Sequence, residues 1–262
     1  MTMELITSNQ NAHYKLAHKL AQSRRERAKT GLMLLDGVHL LAAWLDAGHA
    51  VDTVLVSVAG QFKIEITRLL QRLELQQCKR WQLSDALFES ISDMPSASGI
   101  LALVKVPDVP SAQQSGFCLL LDGVQDPGNV GAILRTAYAA GVQQVWLSSA
   151  CSDIWSPKVL RAGMGAQMVL PCIENADLPQ LARQFRGKIA ATLLDSNARD
   201  LYDCDLRGDL AFVMGSEGQG ISPEMAALAQ IKILIPMQAG IESLNVGHAS
   251  AICLYEAMRQ NR

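Results

Sequence analysis

The spacing of hydrophobic residues along the chain predicts alternating strands and helices. In the first part of the chain, short apolar segments typical of strands lie at residues 31–37, 51–58, 78–84 and 99–106. Helical spacing begins near residue 11 and is clearest from Ile66 to Leu73, where apolar residues fall at i, i+3, i+4 and i+7. This alternation predicts a compact α/β domain over residues 1–105.

A second series of apolar segments begins at residue 117. These segments are almost continuously apolar, and they lie at residues 117–122, 143–148, 188–195, 210–215 and 231–236. Such segments are typical of a parallel sheet covered by helices on both faces. Residues 106–116 are rich in Pro, Ser, Gln and Gly and lack periodicity, which favours a linker. We therefore predict a second domain over residues 117–262.

Composition narrows the class of protein. With 262 residues, of which 49% are hydrophobic, the chain is long enough for two modest cores. Its N-terminus lacks a charged segment followed by an apolar run, and no stretch of about eighteen apolar residues occurs. The six cysteines and five histidines do not fall at zinc-ligand spacing, which predicts free thiols. We expect a cytoplasmic protein without a metal or a membrane partner.

Positive charge is concentrated near the N-terminus, although the net charge of the chain is −2. One short stretch contains a single acid, Glu26, and six basic residues: Lys15, Lys19, Arg24, Arg25, Arg27 and Lys29. Such a cluster can contact several backbone phosphates, which predicts a nucleic-acid-binding surface. A solvated helix face is the alternative that the sequence alone leaves open.

Three unusual polar segments follow strands of the second domain, at the strand ends where parallel sheets bind their ligands. The first, residues 121–137, passes from a strand through a turn into a helix. A turn and a helix cap explain Asp126 or Asn129 but not Arg135, which lies in the second turn of a mostly apolar helix. From there its guanidinium can lean back toward the helix start and hold a phosphate or an oxyanion.

The second segment, residues 212–223, has three glycines around Glu217. Their order excludes a P-loop, a G-x-S-x-G elbow and the glycine fingerprint of an NAD-dependent oxidoreductase. The glycines allow backbone amides to approach a flat ligand, and Glu217 could bind a hydroxyl or orient an arginine.

In the third segment, residues 235–259, a polar loop leads into a helix that is apolar on nearly all sides, which predicts a buried helix. Ser243 and Asn245 could simply cap this helix. Together with the other two segments, they instead predict one polar cluster at the edge of the sheet.

The three segments together resemble the motifs of the SpoU branch of the SPOUT methyltransferases. The resemblance rests on DPGNVGAILRTA, MGSEGQGIS and IPMQAGIESLNVGHASAICLYEAMRQ, with SPKVLRAGMGA between the first two, and it covers residues 117–262. Residues 1–105 are similar, less sharply, to the ribosomal-protein-like substrate-binding domain of many ribosomal RNA members. That similarity rests on GLMLLDGVHLL, SDALFESIS and SGILALV.

The resemblance implies a parallel-sheet SPOUT domain with a deep trefoil knot, preceded by a smaller α/β domain that binds RNA. It also implies a homodimer with the active site at the dimer interface, and S-adenosylmethionine as the donor of a methyl group to a ribose 2′-hydroxyl. By position, the catalytic cluster is Asn129, Arg135, Glu217, Ser243 and Asn245. The implied cofactor-binding residues are Thr192, Leu193, Gly215, Ile235, Met237 and Leu244.

The family assigns activation of the hydroxyl to the equivalent of Arg135. A guanidinium rarely gives up its proton, so anchoring a phosphate and stabilising the developing alkoxide is physically easier for Arg135 than acting as a base.

The chain departs from the family pattern at two places. Gly247 and His248 stand where Ser-Val is common, and Gly163 stands where the family has a serine. Neither departure removes a proposed catalytic group, and His248 is interpreted as a core histidine in preference to a chemical role. The extra N-terminal domain favours ribosomal RNA as the substrate; transfer RNA, or a noncatalytic RNA-binding protein that retains the fold, are the alternatives.

Overall fold

The structure of the protein is a computed structural model that describes residues 3–76, 78–94, 98–193 and 197–262. The chain divides into two compact units. The first unit combines Met1–Pro107 with Trp155–Met168, and the second combines Asp108–Ile154 with Val169–Arg262. Residues 155–168 thus belong to the first unit although they lie within the sequence of the predicted second domain. The functional division into an RNA-binding and a catalytic domain stays a prediction.

The elements of the described residues follow the predicted alternation. The strands are β1 (Glu4–Ile6), β2 (Leu32–Asp36), β3 (Thr53–Ser57), β4 (Lys79–Leu83), β5 (Ile100–Lys105), β6 (Phe117–Asp122), β7 (Gln144–Leu147), β8 (Cys172–Ile173), β9 (Lys188–Thr192), β10 (Arg199–Asp200), β11 (Leu210–Gly215) and β12 (Ile231–Leu234). The helices are α1 (Ala12–Gln22), α2 (Arg24–Thr30), α3 (Val38–Asp46), α4 (Ile64–Arg72), α5 (Asp85–Glu89), α6 (Pro127–Ala139), α7 (Pro157–Ala162), α8 (Leu178–Gln184), α9 (Pro223–Leu228) and α10 (Val246–Gln260).

The first unit is built on a five-stranded sheet of order β1-β4-β3-β5-β2. β5 runs antiparallel to its neighbours β2 and β3, whereas β1, β4 and β3 pair in parallel. β3 is buried at every position. One core cluster of this unit joins Tyr14, Ala17 and Leu20 of α1 to Leu55 of β3 and Phe88 of α5. β4, with the polar residues Lys79, Arg80 and Gln82, is less buried than the central β3.

The second unit is built on a seven-stranded sheet of order β10-β12-β9-β11-β6-β7-β8, and each of its pairings is parallel. The predicted α/β fold with a parallel sheet is therefore confirmed. β11 lies between β9 and β6 and is buried along its whole length. Because the strands are parallel, their carboxyl ends meet at one edge of the sheet. The three polar segments leave from that edge.

The last helix, α10, is buried on one face only. Val246, Cys253, Leu254 and Ala257 are buried, whereas Tyr255 is 49% exposed. The prediction of a buried helix therefore holds for one face of α10 and not for the face that includes Tyr255. The apolar composition of α10 covers both the face that packs on α6 and β11 and a face that reaches the surface.

Candidate active site

The start of α6 places Asn129 at the carboxyl edge of the second sheet. Asp126 is the N-cap of this helix, and its Oδ1 accepts the backbone N–H of Asn129 at 2.8 Å. Pro127 occupies the first helical turn, where its missing N–H costs nothing. The turn that follows β6 is therefore fixed by capping, and the capping leaves the side-chain amide of Asn129 available for other partners.

The side chain of Asn129 joins the three motifs into one hydrogen-bonded chain. Its Nδ2 donates to Oε1 of Glu217 at 2.7 Å, and its Oδ1 accepts from Nδ2 of Asn245 at 2.9 Å. The carboxylate of Glu217 can only accept, so it fixes which way the Asn129 amide is turned, and this in turn requires Asn245 to donate. The first bond is charge-assisted and is the stronger of the two.

Asn245 has two functions at once, because each end of its amide has a separate partner. It is the N-cap of α10, and its Oδ1 accepts the backbone N–H groups of Gly247 at 2.9 Å and of His248 at 3.3 Å. Its Nδ2 makes the bond to Asn129. The sequence left a helix cap and a polar cluster as alternatives for Asn245, and the structure combines them.

A tight hairpin holds Glu217 in front of this chain. After β11, the backbones of Ser216 and Gly220 exchange two hydrogen bonds of 2.9 and 3.0 Å. Gly220 adopts a positive φ of 68°, which favours glycine. A Cβ on Gly215 would lie 2.1 Å from the carbonyl carbon of Gly220, so no side chain fits at the end of β11. The glycines of the second motif therefore fold the loop back on the strand end.

Five of the six predicted cofactor-binding residues lie at or just beyond the ends of three adjacent strands, β12, β9 and β11, and Leu244 lies in the loop before α10. Thr192 ends β9, and its Oγ1 donates to Sδ of Met214 in β11 at 3.7 Å. The backbone N–H of Leu193 donates to the carbonyl of Ile233 in β12 at 3.0 Å. The remaining predicted residues are the buried Gly215, the half-buried Ile235 and Met237, and Leu244, which is 37% exposed.

Arg135 and Ser243 are exposed and are not members of the hydrogen-bonded chain. Arg135 lies six residues beyond Asn129 on α6, which corresponds to about 9 Å along the helix axis. Its long side chain would have to lean toward the start of the helix to reach Glu217 or a substrate phosphate beside it.

Cysteine chemistry is not available at this edge. All six cysteines are free, and all but Cys78 are buried. Burial raises the pKa of Cys118 and of Cys253 to about 12, and it also raises the pKa of Cys151. These thiols therefore stay protonated at neutral pH and are poor nucleophiles.

Across the described ranges, no three His, Cys, Asp or Glu side chains converge as a metal site would require. No helix in the described part of the chain has the length and apolarity needed to cross a bilayer.

The basic stretch of the first unit divides into surface residues and one internal residue. Five of its side chains are exposed: Lys15, Lys19, Arg24, Arg25 and Lys29. Arg27 is only 5% exposed, and its guanidinium donates to the carbonyls of Leu20 and Ala21 at the end of α1. The structure therefore places Arg27 inside the unit, where it ties α2 to α1.

Comparison with known proteins matches a family profile to each half of the sequence. The profile of the SpoU rRNA methylase family matches residues 116–255, and that of the MRM3-like substrate binding domain matches residues 11–102. The chain is 36% identical to the 23S rRNA (guanosine-2′-O-)-methyltransferase RlmB of Shewanella oneidensis, over 87% of this chain and 98% of the relative. It is 30% identical to the 23S rRNA (guanosine(2553)-2′-O)-methyltransferase RlmP of Bacillus subtilis, over 97% and 98% of the two chains.

A solved structure gives the same result for the whole chain. The AdoMet-bound rRNA methyltransferase from Sinorhizobium meliloti superposes with a TM-score of 0.85 over 98% of each chain, at 25% identity. Since the family profile covers more than half of the sequence and includes the first two strand-end motifs and most of the third, the resemblance predicted from the sequence is confirmed. The chain belongs to the SpoU rRNA methylase family.

Proposed function

We propose that the chain transfers a methyl group from S-adenosylmethionine to a ribose 2′-hydroxyl of ribosomal RNA. Family membership and the cofactor-bound structural relative support the enzyme class and the cofactor, as predicted from the sequence. For this protein, the observation that carries the proposal is the pair of hydrogen bonds that link the side chains of Asn245, Asn129 and Glu217. It joins all three motifs at the edge where a parallel sheet binds its ligand.

The strand ends fit a flat, largely apolar cofactor. Gly215 leaves the end of β11 without a side chain, and the loop after β12 offers the half-buried Ile235 and Met237. Thr192 and Leu193 tie β9 to its two neighbours, so the three strand ends form one continuous floor. We propose that these residues, with Leu244, hold S-adenosylmethionine largely through backbone groups. The cofactor supplies an electrophilic methyl group.

The polar cluster is suited to positioning the nucleophile. A ribose hydroxyl is a weak acid, so its attack on a methyl group is helped by acceptors for its proton and by donors for the developing alkoxide. Oε1 of Glu217 is bound by Asn129, which leaves the other carboxylate oxygen for a substrate hydroxyl or for Arg135. We assign to Arg135 the phosphate next to the reacting ribose and the charge on its oxygen. Ser243 supplies a further hydroxyl at the same edge.

The remaining features are proposals of the same kind. The exposed basic residues of α1 and α2 would contact phosphates of the substrate. We propose a homodimer formed through α6 and α10, two helices that pack on each other. They expose Tyr138 and Tyr255, at 54% and 49%, and aromatic residues are enriched in protein interfaces. A trefoil knot around the cofactor site and a cytoplasmic location complete the proposal.

The test is methyl transfer to RNA, followed by mapping of the mark. Purified protein is incubated with radiolabelled S-adenosylmethionine and total RNA, with Arg135→Ala as the matched variant, and cofactor binding is measured by calorimetry. We expect label in ribosomal RNA, loss of about 100-fold or more in rate for the variant, and unchanged cofactor affinity. Absence of cofactor binding by the wild type would refute the proposal that the protein is a methyltransferase. A mark mapped to transfer RNA in place of ribosomal RNA would refute the substrate.

A further inference from the structure

His248 lies at the active-site end of α10 and differs from the residue common in the family. The family pattern usually continues Ser-Leu-Asn-Val with Ser-Val, whereas this chain has Gly247-His248. The sequence favours a core histidine, because the position opens an apolar helix. In the structure His248 is exposed, so that interpretation is wrong for the single chain. A large polar side chain has thus replaced an apolar one at the surface beside the cluster.

The helix geometry directs His248 toward the cluster. His248 follows the N-cap Asn245 by three residues, and its backbone N–H donates to Oδ1 of Asn245 at 3.3 Å. Side chains at i and i+3 are neighbours, with Cβ atoms about 5–6 Å apart. The Cα–Cβ bonds of a helix tilt toward its N-terminus, which places the Cβ of His248 on the Asn245 side of its own Cα.

Gly247 is buried and lies against the amides of Asn245 and Asn129. A Cβ at this position would lie 3.1 Å from Oδ1 of Asn245 and 3.8 Å from Oδ1 of Asn129. A serine here would therefore crowd the capping oxygen of Asn245 and touch the side chain of Asn129. With glycine in its place, the next side chain in the first turn of α10 is that of His248.

We propose that His248 is a specificity-determining residue that contacts the RNA at the nucleotide to be methylated. The inference rests on the proposed function, because a ribose whose 2′-hydroxyl reaches Asn129 and Glu217 brings its base and its neighbouring phosphate within the same few ångströms. An imidazole can stack on an unpaired base or donate a hydrogen bond to a phosphate.

The competing explanation is that His248 contacts a second copy of the chain. Tyr255 distinguishes the two, because it is exposed on α10 seven residues, or two turns, beyond His248 and so on the same face. A contact confined to the RNA involves His248 alone, whereas a contact between copies along α10 involves both residues.

The test compares His248→Ala, His248→Gln, His248→Phe and Tyr255→Ala in the full-length protein. We expect His248→Ala to raise the KM for ribosomal RNA by roughly fivefold or more, with kcat and S-adenosylmethionine affinity within about twofold of wild type. Restoration by phenylalanine indicates stacking, and restoration by glutamine indicates a hydrogen bond; either result supports the proposal. Light scattering should give the same mass for His248→Ala as for the wild type.

An unchanged KM in His248→Ala, while the wild type methylates RNA, overturns this inference and leaves the proposed function standing. Dissociation of the assembly by both His248→Ala and Tyr255→Ala overturns it in favour of a contact between copies. Absence of methylation by the wild type is the separate result that refutes the proposed function.

Discussion

Replacing Asn129 by alanine should separate the positioning of Glu217 from the stability of the fold. The substitution removes two side-chain hydrogen bonds, of 2.7 Å to Glu217 and 2.9 Å from Asn245. A hydrogen bond contributes about 0.5–1.5 kcal/mol, and both of these are exposed, so the free energy of unfolding should fall by only about 1–2 kcal/mol. The carboxylate of Glu217, in the five-residue turn from Ser216 to Gly220, loses its described side-chain donor.

The rate should fall much further than the stability. A displacement of a positioning group by about 1 Å can cost on the order of 100-fold in rate. Asp126→Ala is the matched control, because it removes the capping hydrogen bond to the backbone N–H of Asn129 and leaves the side chain of Asn129 intact. That change should cost about 1 kcal/mol in stability, with little change in rate.

Single-turnover methyl transfer at saturating cofactor and RNA, together with urea unfolding, measures both quantities. We also expect Glu217→Ala and the double variant Asn129→Ala/Glu217→Ala to react at the same rate, because residues that act as a unit are not additive. Equal losses of rate in Asn129→Ala and Asp126→Ala would show that the defect is one of helix stability. A less than twofold loss in Asn129→Ala would show that the hydrogen-bonded chain has no part in the reaction.

Four other substitutions have distinct expected results. Gly215→Ala should lower the unfolding free energy by about 1–3 kcal/mol and weaken S-adenosylmethionine binding in calorimetry, because the added Cβ would lie 2.1 Å from the backbone of Gly220. An unaltered melting curve would contradict this packing. Arg27→Ala should destabilise the protein by about 1.5–3 kcal/mol and leave the salt dependence of RNA binding unchanged. Lys19→Ala should instead reduce that salt dependence by about one counterion without loss of stability. A stability loss in Lys19→Ala with a reduced salt dependence in Arg27→Ala would refute the division of the basic stretch. The hydrogen bonds of Arg259 and Gln260 lower the pKa of Glu256 from 4.5 to about 2. The contribution of Glu256 to stability is therefore present above pH 4.5 and lost as the pH falls toward 2. Glu256→Gln should reduce the pH dependence of acid unfolding over that interval, and identical unfolding curves for the variant and the wild type would refute this contribution.

The buried strands and the strand-end cluster could be predicted from the sequence because each has a strong local signal. Continuous apolar runs gave β6, β9 and β11, and polar residues placed directly after them had to meet at one edge of a parallel sheet. The short strands β1, β8 and β10 could not be predicted, because two or three residues contain no measurable periodicity.

Other features depended on contacts between residues distant in sequence, or on a signal that was overlooked. The break between α1 and α2 at Ser23 does have a local signal, since Ser23 precedes Glu26 by three residues and accepts its backbone N–H. The burial of Arg27 depends on carbonyls at the end of another helix, and composition alone assigned it to the surface. The exposure of His248 depends on which face of α10 packs on α6, which an apolar sequence does not specify.

The double use of the Asn245 amide has a consequence for how such sequences diverge. Because the same side chain closes the first turn of the terminal helix and orients Asn129, drift that abolished methylation would still be opposed at this position by the need for a folded protein. An asparagine at the start of the last helix therefore reports on the integrity of the architecture in descendants of this chain. Whether a descendant still catalyses is better judged from the Asn129–Glu217 pair, whose bond caps nothing.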